Sequence, residues 1–212
     1  MSRVKRGVLI SFEGVEGSGK TTQAQALAAW LEAGGLPYRF IREPGMTPIG
    51  EKIRDLLLDP SHLIHPQCEL LLFLAARSQL VRETILPALE AKQIVVADRF
   101  TDSTTAYQIY GRGLPPRLVA IFNRFAAAGL KPDLTFLVDI DANERHARGK
   151  DRDRMEREDE SYHQRVRAGY LKLAQRAKKR VRIIDGRQPA DKITHDVIGH
   201  VKTFLINKGY QP

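Results

Sequence analysis

The stretch Gly14-Val15-Glu16-Gly17-Ser18-Gly19-Lys20-Thr21 constrains this chain more than any other, because it places a glycine-rich turn between a short apolar strand and a helix. Residues 8–12, Val-Leu-Ile-Ser-Phe, read as a buried strand, and residues 22–31 follow with helix-forming side chains. The spacing satisfies the phosphate-cradling pattern G-x-x-x-x-G-K-[ST] in the strand–turn–helix context that gives the pattern its meaning. Glycines let the backbone turn tightly and aim its N–H groups at phosphate oxygens, with the positive end of the helix dipole behind them. The set expected to bind the phosphates of a nucleoside triphosphate is Gly14, Val15, Glu16, Gly17, Ser18, Gly19, Lys20, Thr21 and Thr22. Lys20 should reach the terminal phosphates, and the Thr21 hydroxyl should ligate Mg²⁺.

Alternating apolar runs and helical stretches continue along the chain and predict an α/β protein built on a parallel sheet. Further strands are expected at residues 38–41, 94–97, 134–138 and 181–184, with helices at 48–58, 66–91 and 190–208. With 212 residues, the chain reads as one domain. It holds no apolar run of the roughly 18 residues that a membrane span needs. The basic N-terminal residues are not followed by a cleavage site, so a signal peptide is not expected. A lone cysteine, Cys68, fits a reducing cytoplasm and reads as a small core residue without a catalytic role.

In open parallel sheets, ligands bind outside the carboxyl ends of the strands. Arg42-Glu43-Pro44-Gly45 follows the second strand and Asp98-Arg99 the third. Asp98 alone could be a turn residue; beside a phosphate loop it is a candidate for organising Mg²⁺ and its waters. Arg42 and Arg99 read as forks for a second phosphate group, which points to transfer onto a phosphorylated acceptor rather than to water. A phosphate oxygen is already ionised at neutral pH, so no general base is required, and no histidine accompanies these motifs.

Net charge is +9, and residues 145–182 carry fourteen Lys or Arg against six Asp or Glu, which accounts for +8 of it. Such a segment suits either a polynucleotide stripe or a clamp on a small, highly charged ligand. No aromatic stacking platform accompanies it, which disfavours nucleic acid.

Four spaced motifs taken together, residues 12–23, Arg42-Glu43-Pro44-Gly45, Asp98-Arg99-Phe100 with Ser103 and Ala106-Tyr107-Gln108, and Pro132-Asp133-Leu134-Thr135, resemble bacterial thymidylate kinase over nearly the whole chain. The resemblance implies a P-loop nucleoside-monophosphate-kinase fold, with a five-stranded parallel sheet flanked by helices. It also implies ATP-dependent phosphorylation of dTMP to dTDP for dTTP supply, a homodimer, and neither a membrane nor a stable nucleic-acid partner. Catalytic roles fall to Lys20, Asp98, Arg99 and a lid arginine, with Mg²⁺ on Thr21 and Asp98.

Acceptor roles carry over to Glu16 at the sugar 3′-hydroxyl, Arg42 and Arg99 at the phosphate, and Phe73 stacked on thymine. Arg77 matches the group on the base carbonyl, and Ser103, Thr104, Tyr107 and Gln108 line base and sugar. From pattern alone Phe73 reads as core. Residues 146–160 resemble the lid of the class that keeps its catalytic arginine there, and the phosphate loop indeed lacks one. Arg154 is the first choice, with Arg148 and Arg152 as competitors. One departure is Met46, where the family commonly has glycine; a side chain there restricts positive-φ conformations and puts the loop path in question. A kinase for another monophosphate, a nucleic-acid-stimulated ATPase and a non-catalytic nucleotide sensor are the rival readings.

Overall fold

The computed structural model describes residues 6–144 and 153–212. Five parallel strands form one sheet in the order β2-β3-β1-β4-β5, with β1 Val8–Glu13, β2 Tyr38–Arg42, β3 Ile94–Asp98, β4 Leu134–Asp139 and β5 Val181–Asp185. The fully buried β1 and β3 are near-continuous apolar runs, as strands covered on both faces must be. Each strand runs one residue beyond its expected limit, so Glu13, Arg42, Asp98, Asp139 and Asp185 are last residues of strands rather than loop residues. Their register is fixed by the ladders, with Phe12 beside Asp98 and Arg42 beside Asp98.

Helix α1 Lys20–Ala33 and the C-terminal helix α8 Ala190–Asn207 cover one face. Their apolar sides, Ala24, Leu27 and Leu31 with Ile193, Val197 and Val201, close a core around Phe12 and Phe136, whose rings stack at 5.3 Å. On the other face lie α2 Pro48–Leu58, α3 Pro66–Leu80, α4 Leu86–Glu90, α5 Thr101–Thr104, α6 Pro116–Ala126 and α7 Glu160–Arg176.

The helix expected over residues 66–91 is interrupted by a π-helical turn, Val81–Ile85, between α3 and α4. Pro87 lacks an N–H and its ring crowds the carbonyl four residues earlier, so the ladder widens ahead of it. A second π segment, Thr105–Gly111, continues α5 and carries Tyr107 and Gln108. Neither this element nor α6 is among the sequence expectations. Cys68, expected in the core, is instead exposed.

Candidate active site

At the carboxyl ends of β1, β2 and β3 the sheet opens into a cavity of about 590 Å³. Lys20, Thr21 and Asp98 line one part of it; Arg42, Phe73, Arg77, Arg99, Thr104, Tyr107 and Gln108 line the rest. Donor loop and expected acceptor residues therefore share one space.

The loop owes its path to its glycines. Gly14 has φ +148°, and a β-carbon there would lie 2.5 Å from the Val138 carbonyl oxygen. Gly19, at φ +89°, caps α1 without any side-chain hydrogen bond, so the first N–H groups of that helix remain for a ligand. The Ser18 hydroxyl is buried with no hydrogen-bond partner among the described residues. The Lys20 ammonium rests against the Val15 carbonyl at 3.5 Å. Burial and the neighbouring Arg99 push its pKa down to about 8, against opposing pull from Glu16, Asp98 and Glu13.

Thr21 donates to Asp98 Oδ2 at 2.6 Å, and Asp98 Oδ1 is buried without a partner among the described residues. A hydroxyl beside an orphaned carboxylate oxygen suits a hard divalent cation with oxygen ligands. Thr21 and Asp98 thus fit the Mg²⁺ expected of them.

Arg99 ties the loop to the acceptor side. Its backbone sits at φ +72°, and its guanidinium donates to Gly14 O at 3.0 Å, Glu16 Oε1 at 2.8 Å, Ser103 Oγ at 3.1 Å, and the hydroxyls of Tyr107 and Tyr170 at 3.2 and 3.1 Å. Tyr107 also donates to both Glu16 oxygens. Burial alone would raise the Glu16 pKa; Arg99 and then Lys20 outweigh it and hold the carboxyl below its usual range. Behind the loop, Glu13 accepts from the Phe100 N–H at 2.9 Å and the Ser103 hydroxyl at 2.5 Å. Burial, reinforced by Asp102, pushes the Glu13 carboxyl up to about 8.

Arg77 was matched to a base carbonyl, yet its guanidinium donates to Glu43, Thr104, Asn123 and the Phe100 carbonyl, which engages all five of its N–H groups. In this arrangement Arg77 braces the pocket wall. Ser103 turns its hydroxyl to Glu13 and Tyr170 rather than into open space.

Arg154, first choice for the cation on the transferring phosphate, donates to the Leu57 carbonyl at 2.7 Å and pairs with Glu69 at 2.7 Å. Its charge is committed to a buried carboxylate away from the loop, while Asp153, Met155 and Glu156 line the cavity. Arg148 and Arg152 lie outside the described residues. Met46 takes a positive φ, +67°, and its N–H donates to Glu51 Oε1 at 2.6 Å.

Sequence reasoning missed three groups. Arg54 lines the cavity and donates to the Pro44 carbonyl at 3.0 Å; its position four residues after buried Gly50 and three before buried Leu57 on α2 was a usable signal. His163, expected to play no part, lies buried on α7 with Nδ1 4.0 Å from Glu16 Oε2. Glu69 is fully buried on α3, where it accepts from the cavity-lining Gln108 and pairs with Arg154. Nothing local in sequence announces these last two.

In the basic segment, described arginines are largely consumed by the fold. Arg167 pairs with Asp139 at 2.7 Å and Arg180 with Asp102 at 2.7 Å.

Residues 12–197 match the family model described as Thymidylate kinase. A thymidylate kinase of Kosmotoga olearia is 46% identical over 202 residues, 94% of this chain and 96% of the relative. One from Pelotomaculum thermopropionicum is 49% identical over 206 residues, covering 94% and 95%. Among solved structures, the thymidylate kinase from Ehrlichia chaffeensis superposes with a TM-score of 0.76 at 33% identity, covering 92% of this chain and 98% of that one.

Proposed function

Since the chain belongs to the thymidylate kinase family, we propose that it transfers the γ-phosphate of ATP to dTMP, giving dTDP and ADP. The observation that carries this reading is one cavity lined both by Lys20, Thr21 and Asp98 and by Arg42, Phe73 and Gln108. A hydrolase has no use for the second half.

Phosphoryl transfer is mostly positioning and charge neutralisation. The loop N–H groups and Lys20 hold the donor phosphates. Thr21 and Asp98 would hold Mg²⁺, which would supply neutralisation of phosphate charge. Arg42 holds the acceptor phosphate with Arg54 beside it as a further cation, and Arg99, whose terminal nitrogens are engaged by Gly14, Glu16, Ser103, Tyr107 and Tyr170, adds its positive charge from the pocket wall. Arg99 also keeps Glu16 aligned for the sugar hydroxyl, and Tyr107, hydrogen-bonded to Glu16, fills the space that a ribose 2′-hydroxyl needs. Phe73 faces the base. Arg154 is the first choice for the lid cation on the transferring phosphate, with Arg148 and Arg152 as competitors, and it would have to leave its contacts with Leu57 and Glu69 to reach it. Closure over both nucleotides excludes water and suppresses hydrolysis.

The protein acts in the cytoplasm as a homodimer in this reading. No helix among the described residues is long and apolar enough to cross a membrane. Leu118, Ile121, Phe122 and Phe125 form an exposed stripe on α6, Phe125 being 81% exposed, and Leu71 is exposed on the adjoining α3. An apolar surface at i, i+3, i+4 and i+7 facing outward fits a second copy of the chain.

Release of ADP from ATP and Mg²⁺ with a panel of nucleoside monophosphates tests the acceptor. Turnover is fastest with dTMP; dUMP, AMP or CMP outrunning it overturns the assignment.

A further inference from the structure

Gln108 is buried and lines the acceptor cavity, and its two amide ends have different surroundings. Its Nε2 donates to Glu69 Oε1 at 2.9 Å, while its Oε1 is buried with no hydrogen-bond partner among the described residues. An unsatisfied acceptor in such a place is costly unless a ligand completes it.

Glu69 is surrounded by donors. Arg112 donates through Nε to Oε1 at 3.0 Å and through its terminal nitrogen to Oε2 at 2.8 Å, and Arg154 reaches Oε2 at 2.7 Å. Burial works against the charged carboxylate, but Arg112, Gln108 and Arg154 prevail and keep its pKa below the ordinary value. An ionised carboxylate accepts hydrogen bonds and donates none. Rotating the Gln108 amide by half a turn would set its carbonyl oxygen against that anion. One orientation therefore wins, with N–H₂ toward Glu69 and C=O toward the cavity.

We propose that Glu69 is a positioning residue for specificity: by fixing the Gln108 amide it presents a bare carbonyl acceptor to the acceptor base, which selects a pyrimidine carrying N3–H over one whose N3 is itself an acceptor. This deepens the assignment of a thymine-type acceptor and rests on it. Thymine and uracil satisfy the Gln108 oxygen; cytosine leaves two acceptors facing one another. Neutralising Glu69 removes the bias and lets the amide turn to offer a donor.

The test is a double-mutant cycle read as the ratio of kcat/KM for dTMP to that for dCMP. Glu69→Gln lowers the ratio by about tenfold, the worth of one hydrogen bond of ordinary strength. Gln108→Leu, which leaves the arginine cluster intact, also lowers it. Adding Glu69→Gln to Gln108→Leu lowers it no further. Arg112→Lys, which keeps a cation beside Glu69, loosens the same cluster and reduces thermal stability while the ratio holds. Additive losses in the double variant, or an unchanged ratio in Gln108→Leu, overturn the proposal.

Should Glu69→Gln fail to fold, hydrogen exchange of the Gln108 side-chain amide decides in the parent protein. Protected N–H₂ protons support the orientation, and exchange as fast as in a solvated glutamine contradicts it. That readout needs no turnover, so a parent that phosphorylates no pyrimidine monophosphate would sink the functional reading separately.

Discussion

The two ends of the cavity are built on opposite plans. At the proposed donor end the groups on offer are mostly backbone: helix N–H groups, a Ser18 hydroxyl without a partner among the described residues, and a Lys20 ammonium 3.5 Å from the Val15 carbonyl. At the acceptor end the cations are already paired, Arg77 with Glu43, Arg99 with Glu16, and Arg42 with Glu51. A triphosphate brings its own charge to an unpaired loop. The smaller acceptor enters a pocket whose geometry the protein has fixed in advance, at the cost of making that pocket part of the fold.

The sharpest way to separate the two plans is to remove one cation from each. Lys20→Met should lower kcat by about 10³-fold, the scale of losing a group that stabilises transition-state charge, with the melting temperature nearly unchanged. Arg99→Met should abolish turnover and also cost about 3 kcal/mol of stability, because the largely enclosed Glu16, 15% exposed, loses its ion-pair partner. Equal melting temperatures for the two variants would break the comparison.

Arg77 extends the same logic inside the acceptor wall. Arg77→Met alone should destabilise by about 3–5 kcal/mol in chemical denaturation, since it strands the buried Glu43 carboxylate. Pairing it with Glu43→Leu should recover most of that loss. If the double variant is as unstable as the single one, the pair is not what Arg77 contributes.

Two titrations sharpen the contrast. Lys20 in the free protein carries a pKa lowered to about 8, so it is charged below that value and loses its charge above it. ATP affinity by calorimetry should fall as pH rises through about 8, and Lys20→Arg should flatten the fall. Glu13 works on stability instead. Its folded pKa, raised to about 8 from 4.5, means the native state holds a proton that the unfolded chain releases over that interval. Its stabilising contribution is complete below the lower value and is lost as pH rises toward the upper one. Glu13→Gln should remove that part of the slope.

The smallest effect concerns Met46, which holds φ +67° where glycine is at ease. Met46→Gly should raise stability by about 1 kcal/mol with dTMP turnover unchanged. A loss of stability would mean that the side chain does more than endure the loop.

What could be read from the sequence follows the same divide. The donor end is local: glycines, Lys20 and Thr21 are consecutive, and the apolar strands before Asp98 and Arg42 announce themselves by period and composition. The acceptor end depends on contacts between distant positions. Arg77 meets Glu43 from 34 residues away, and Arg112 meets Glu69 from 43. Spacing therefore suggests that Arg77 faces a ligand without revealing that its donors are taken. His163 reaches Glu16 only because α7 returns across the loop. Helix α6 went unread for a different reason: its Leu118, Ile121, Phe122 and Phe125 face outward, so the apolar side does not mark the core.

The central claim is that both ends serve one transfer, and phosphorus NMR of ATP, Mg²⁺ and dTMP with the protein tests it most directly. The β-phosphate signal of dTDP should grow one for one with ADP while orthophosphate stays at baseline. Orthophosphate released at the same rate with or without dTMP, and no dTDP, would contradict it.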